Sequence, residues 1–145
     1  MNTKEYLSQI RSLDLKINQK IEEKETLYSK VTSTGSQGMN PDKIQSSINL
    51  HKSEDIITKY IDLEHEIDNL IDEFVDLKDK IINEIHQLKD YRHIDVLYQR
   101  YVQYHSFELI AVNMGYTIRR VYQLHGDALQ EFQKVLQFIS VNNEL

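Results

Sequence analysis

The stretch SFELIAVNMGYTIRRVYQLHGDAL, from Ser106 to Leu129, holds the side chains of this chain best suited to recognition chemistry. Thr117, Arg119, Arg120, Tyr122 and Gln123 fall within two helical turns of one another. Arginine can offer paired hydrogen bonds to the edge of guanine, and glutamine can do the same for adenine. A threonine at a helix start can cap the backbone and also touch a phosphate. The chemistry in question is therefore the reading of double-stranded DNA. In this scheme Arg119, Arg120 and Gln123 read bases, Tyr122 is presented beside them, and Thr117 and Arg100 mainly fix the register. His125 lies beyond the usual reading turns, so it is expected to contact a phosphate or nothing.

A second chemistry is suggested by the acidic run between Asp62 and Asp79. Glu64, Asp68, Asp72, Glu73 and Asp76 include pairs three and four residues apart, a spacing that would suit Mg²⁺ if two such helices faced inward. Apolar residues take the inward positions here, so the acids are expected to form a solvated face. No phosphate-binding glycine loop, nucleophile elbow or His-Glu-x-x-His motif occurs. His65 and His86 stand alone on polar faces. The expectation is a protein that is not an enzyme, with no cofactor and no metal.

The elements that must position these residues can be read from apolar spacing. A first helix is expected from about Thr3 to Lys30. Tyr6, Ile10, Leu13, Ile17, Leu27 and Val31 lie on a three-four repeat that Ile21 and Tyr28 widen, and Lys20 and Lys24 interrupt the seam. VTSTGSQGMNPDK, residues 31–43, contains the only proline and reads as a loop. From Ile44 to Ser53 two outcomes stay open, a helix capped by Asp42 or an irregular stretch ending at Ser53. Ser53 followed by Glu54 and Asp55 predicts the firm start of a second helix. Tyr60, Ile67, Phe74, Ile81 and Leu88 recur every seven residues, with Leu63, Leu70 and Leu77 between them and Ile57, Ile71 and Ile85 to one side. The two helices, roughly 40 and 50 Å long, would fold into an antiparallel, coiled-coil-like hairpin. Its apolar face is wider than one partner covers, which predicts self-association.

Asp90 ends that pattern. A short helix is predicted over 92–103, a second from Phe107 to Met114 capped by Ser106, and a last one from Ile118 to about Ile139 capped by Thr117. Gly115 is placed as the left-handed residue that closes the middle helix. Ala111 is the small residue that would let the following helix cross closely, with Ile110, Val121 and Leu124 locking the crossing. The fold class predicted is all-α, a hairpin over 1–90 with a connector at 31–52, then a helix-turn-helix domain over 91–145.

Composition is compatible with this. A chain with 40% hydrophobic and 28% charged residues is globular rather than disordered. One proline and four glycines are few for a β-rich fold. The absence of cysteine excludes disulfides and thiolate sites, and no apolar run is long enough to span a membrane. With a charged N-terminus, a soluble cytoplasmic protein is expected. The net charge is −6, yet residues 91–145 hold five Lys/Arg and five Asp/Glu, so the acidity belongs to residues 1–90. Arg92, Arg100, Arg119 and Arg120 face only Asp95 and Glu108 within 92–125, which leaves the proposed reading region locally basic.

The segment LYQRYVQYHSFELIAVNMGYTIRRVYQLHGDALQEFQKVL, Leu97 to Leu136, resembles sigma factor region four, the helix-turn-helix that reads an upstream promoter element. Arg100-Tyr101, Ser106, Ile110-Ala111, Gly115, Thr117, Val121, Leu124 and Ala128-Leu129 fit its pattern. Gln123 falls where primary sigma factors carry a base-reading glutamine. Ile118 and Arg119 replace the Arg-Glu pair of those factors, so their sequence preference does not transfer. The whole chain is similar to small phage and prophage proteins that join an acidic helical hairpin to such a domain, grouped with late-gene transcription regulators of the RinA and ArpU type. That resemblance implies a prophage-encoded regulator that acts on promoter DNA, alongside host RNA polymerase in one version; the self-association expected of the hairpin would make it a homodimer. The rival expectations are a small terminase-like DNA-packaging protein and an adaptor that binds polymerase without DNA.

Overall fold

In the computed structural model the described backbone covers residues 1–36 and 43–144, with side chains described for all of these except 33–36 and 43–51. The fold is all-α: α1 (Thr3–Ser36), α2 (Lys43–Ile85), α3 (Tyr91–Leu97), a π-helical segment (Tyr98–Val102), α4 (Phe107–Met114) and α5 (Ile118–Asn143). Among the described residues, no helix is long and apolar enough to cross a membrane. The chain divides into two compact units, one of Met1–Leu13 with Phe74–Leu145 and one of Asp14–Glu73.

The Asp14–Glu73 unit is the hairpin. Lys20 pairs with Glu66 at 3.4 Å and Lys24 with Glu64 at 3.2 Å, while the rings of Tyr28 and Tyr60 lie 6.2 Å apart. Partners that descend in number along α2 as they ascend along α1 make the pair antiparallel. The lysines that interrupt the apolar repeat therefore do so as cross-helix ion pairs over the buried Ile17, Leu63, Ile67 and Leu70. Ile57 and Ile71, which widen the apolar stripe to one side, are 44% and 39% exposed, so part of that stripe lies outside the seam that Leu63, Ile67 and Leu70 define. The first helix runs on to Ser36 rather than ending near Lys30.

The predicted connector is correspondingly shorter. Residues 31–36 continue α1 and α2 begins at Lys43, so Ser53 lies inside a helix rather than at its start. A serine followed by two acids is favourable in a first turn but is also tolerated mid-helix when apolar residues carry the helix past it. Residues 37–42, including Asp42 as the alternative cap, lie outside the described residues.

The other unit has one core. Leu7, Ile10, Ile81, Ile85, Val96, Leu97, Ile110, Val121, Ala128 and Phe132 are fully or almost fully buried in it. Tyr6 donates its hydroxyl hydrogen bond to both carboxylate oxygens of the buried Glu84, 2.8 Å from each. Burial, and then the adjacent carboxylate, push the Tyr6 phenol well above its usual range. The α2 helix ends at Ile85, short of Asp90, through tight turns from Gln87 N to Glu84 O and from Leu88 N to Ile85 O. Leu88 stays buried although it is past the helix. Asp90 then caps α3 by accepting from Arg92 N at 2.9 Å.

The single helix expected over 92–103 is instead α3 followed by the π-helical segment, in which Gln103 N donates to Tyr98 O at 3.1 Å. The wider turn directs Gln99, Tyr101 and Val102 inward together. Gln99 bonds Asp95 at 2.9 Å and accepts from Asn113 at 3.0 Å, tying α3 to α4. Tyr104 closes the segment at φ 61°, an uncommon conformation for a bulky residue, with the Arg11 guanidinium 5.6 Å from its ring centre.

Candidate nucleic-acid interface

The helix-turn-helix is built from three local signals. Ser106, in an extended conformation, accepts from Leu109 N at 3.1 Å and starts α4. Gly115, at φ 71° and ψ 31°, stops it, and its N–H returns to the carbonyls of Ala111 and Val112. Thr117, again extended, accepts from Arg120 N at 3.1 Å and starts α5. These are the bounds the sequence predicts for α4 and for the start of α5; the last helix runs to Asn143 rather than Ile139.

The crossing is locked as expected. Ile110 and Val121 are wholly buried, and Ala111 and Leu124 nearly so. At 100° per residue, Val121, Leu124, Ala128 and Phe132 cluster on one side of α5 and Arg119, Gln123 and Gln130 on the opposite side. Arg120 and Tyr122 flank that outer face, and all five are exposed. Tyr122 is held there by the Phe107 ring, 4.9 Å away. Thr117, Arg119, Arg120, Tyr122 and Gln123 are thus brought together at the N-terminal end of α5, where the helix dipole adds a partial positive charge.

Arg100 is placed differently. Its guanidinium lies 4.1 Å over the Phe107 ring and donates to His105 O at 3.1 Å, half-buried behind α4. It braces the aromatic residue against which α5 leans. His125 is also part of the brace. It is buried, bonded through Nε2 to the Tyr101 hydroxyl at 2.8 Å, and in edge contact with Phe107 at 5.0 Å. Burial first, then the charges of Lys4 and Arg100, lower its pKa to about 4. The imidazole is neutral near pH 7, and of its two expected roles, a phosphate contact or none, this burial supports none.

Two residues near the candidate interface were not among the expected contacts, although Arg92 was counted in the locally basic region. Gln130 extends the outer face of α5 by two turns, a position readable from periodicity alone. Arg92 is the other. Its guanidinium makes a paired contact to Asp90, at 2.9 and 3.2 Å, and Tyr116 in the turn is among the groups that favour its charged form. The Arg92 hydrogen bonds hold the Asp90 carboxyl down at about 2. Nothing in the local sequence marks this, because Arg92 and Tyr116 are joined only by the fold.

The acidic residues Asp62, Asp68, Asp72, Glu73 and Asp76 are exposed, and Glu64 is half-buried against Lys24. Among the described residues, no group of three or more His, Cys, Asp or Glu converges with metal-binding geometry. No family model matches the sequence, and the curated proteins and solved structures contain no match to it.

Proposed function

We propose that the protein is a sequence-specific, double-stranded-DNA-binding transcriptional regulator of the phage type, using α4 and α5 as a helix-turn-helix. The observation that carries this is the division of α5: its inner face is committed to the core while Arg119, Arg120, Tyr122 and Gln123 stand exposed on its first turns. In a DNA complex α5 lies in the major groove, Arg119, Arg120 and Gln123 read base edges, and Thr117 is set for a phosphate. The resemblance to sigma factor region four supports the same assignment. With few cations on offer, few phosphates are neutralised, so affinity is low and its fall with salt is shallow. A homodimer on adjacent half-sites compensates, and the exposed Ile57, Ile61 and Ile71 of α2 are its proposed surface.

The test is selection of bound fragments from a genomic DNA pool at low salt, followed by comparison with Arg119→Ala/Arg120→Ala. The double variant is expected to lose at least tenfold in affinity for the selected fragment, with an unchanged melting temperature. Equal binding by parent and variant rejects the recognition-helix assignment. The adaptor reading, with host RNA polymerase as partner, is favoured by one observation: Leu109 and Val112, on the outside of α4, are 42% and 77% exposed. Retention of no DNA fragment at all decides for it.

A further inference from the structure

We propose that Gly126 is the point where a DNA backbone strand rides over α5, and that the missing side chain is what permits this close approach. The inference rests on the DNA-binding assignment above and extends the contact surface beyond the residues named for it.

Gly126 sits in the interior of α5, where glycine is among the worst helix formers. The usual internal reasons for tolerating it are absent. Its φ is not positive, unlike that of Gly115. Apart from its chain neighbours and the adjoining backbone of α5, a Cβ built at Gly126 would meet no atom of the protein within 4 Å, so no neighbouring helix needs the space. What remains is a requirement outside the chain. Glycine is used where a backbone must come close to a ligand.

The location identifies the ligand. At 100° per residue Gly126 lies within about 60° of Arg119, Gln123 and Gln130, at the middle of the outer face. Arg119, Gln123 and Gln130 on this face are polar or cationic, the apolar Leu129 and the Tyr122 ring lie toward its inner edge, and the exposed carboxylate of Asp127 is turned about 100° away from Gly126, which leaves the middle of the face better suited to a nucleic-acid strand than to a packed helix. The distance along the axis agrees. From Ile118 to Gly126 the helix rises about 12 Å, close to the width of the B-DNA major groove. A helix that enters the groove with Ile118 and Arg119 therefore meets the far groove wall, a sugar-phosphate strand, near Gly126. Any Cβ there would hold the strand away and lift Gln123 off its base.

The proposal separates stability from binding. The full-length parent is first used to select a duplex from a random-sequence pool at low salt. Gly126→Ala is expected to raise the melting temperature by about 2–4 °C, as a helical glycine-to-alanine change does. The same variant is expected to bind the selected duplex about tenfold more weakly, and Gly126→Gln more weakly still. If Gly126→Ala binds the selected duplex as tightly as the parent, the close-approach proposal is overturned while DNA binding stands. If the parent selects no duplex, the DNA-binding assignment fails and this proposal falls with it.

Discussion

At the scale of single residues, the pair Tyr101–His125 shows how a side chain with an apparent role in binding is used for the fold. His125 lies on the same helix as the proposed reading residues, and its spacing alone does not distinguish an outward from an inward imidazole. The core positions of Val121 and Phe132 decide it, since His125 lies beside them on the buried side of the helix. With its pKa lowered to about 4 against about 6.5 in the unfolded chain, His125 gives a defined pH dependence. Between those values the unfolded state takes up a proton that the folded state refuses. Stability is therefore complete above about pH 6.5 and declines as pH falls toward 4, by on the order of 1–2 kcal/mol after allowing for solvent screening. Thermal melts across that window measure it, and His125→Leu is expected to flatten the profile; an unchanged slope in that variant refutes the assignment. Tyr101→Phe removes the hydroxyl partner of Nε2 and is expected to cost about 1–3 kcal/mol at pH 7.

At the scale of elements, legibility follows from whether an end carries its own chemistry. Ser106, Gly115 and Thr117 each supply a group that satisfies a specific orphaned backbone atom, so α4 and the start of α5 could be placed from sequence. Apolar spacing likewise found the buried side of α5. The C-terminal end of α2 carries no comparable mark. Its start had a false one in Ser53, and its stop at Ile85 is made by two tightened turns that the unbroken heptad at Leu88 conceals. The π-helical segment was illegible for another reason: one widened turn changes which residues face inward without changing composition, and only packing against α4 fixes it. The marks also rank by energy. Gly115→Ala forces a Cβ into the left-handed region and is expected to cost at least about 1 kcal/mol. Thr117→Ala removes the bond to Arg120 N and is expected to cost about 1 kcal/mol. Equilibrium denaturation measures both; if Thr117→Ala weakens DNA binding while stability is unchanged, the hydroxyl acts on phosphate and contributes little as a cap.

At the scale of the whole molecule, the core that supports the helix-turn-helix is assembled from distant parts of the chain. Phe132 of α5, wholly buried, has the ring of Tyr6 6.2 Å away, and Leu7 and Ile10 share its core with Ile81 and Ile85. In the sequence these N-terminal residues look like the start of a hairpin repeat, because seven-residue spacing does not say which partner each turn will meet. Their burial has a strong consequence. Removing a buried leucine or isoleucine side chain costs about 2–5 kcal/mol, and a domain of this size has about 5–15 kcal/mol in all. Deleting Met1–Leu13 strips Leu7 and Ile10 from the core together and removes the Tyr6 hydroxyl that donates to the buried Glu84 carboxylate. The truncated protein is expected to lose its cooperative melting transition and its near-ultraviolet circular dichroism, and with them any DNA binding, although all of α4 and α5 is retained. A fragment of residues 91–145 should behave in the same way. If that fragment melts cooperatively and holds DNA as the full chain does, the N-terminal turns are dispensable and the helix-turn-helix is self-supporting; if it does not, the hairpin helices contribute their ends to the reading head as a structural requirement, apart from any part they play in pairing two copies.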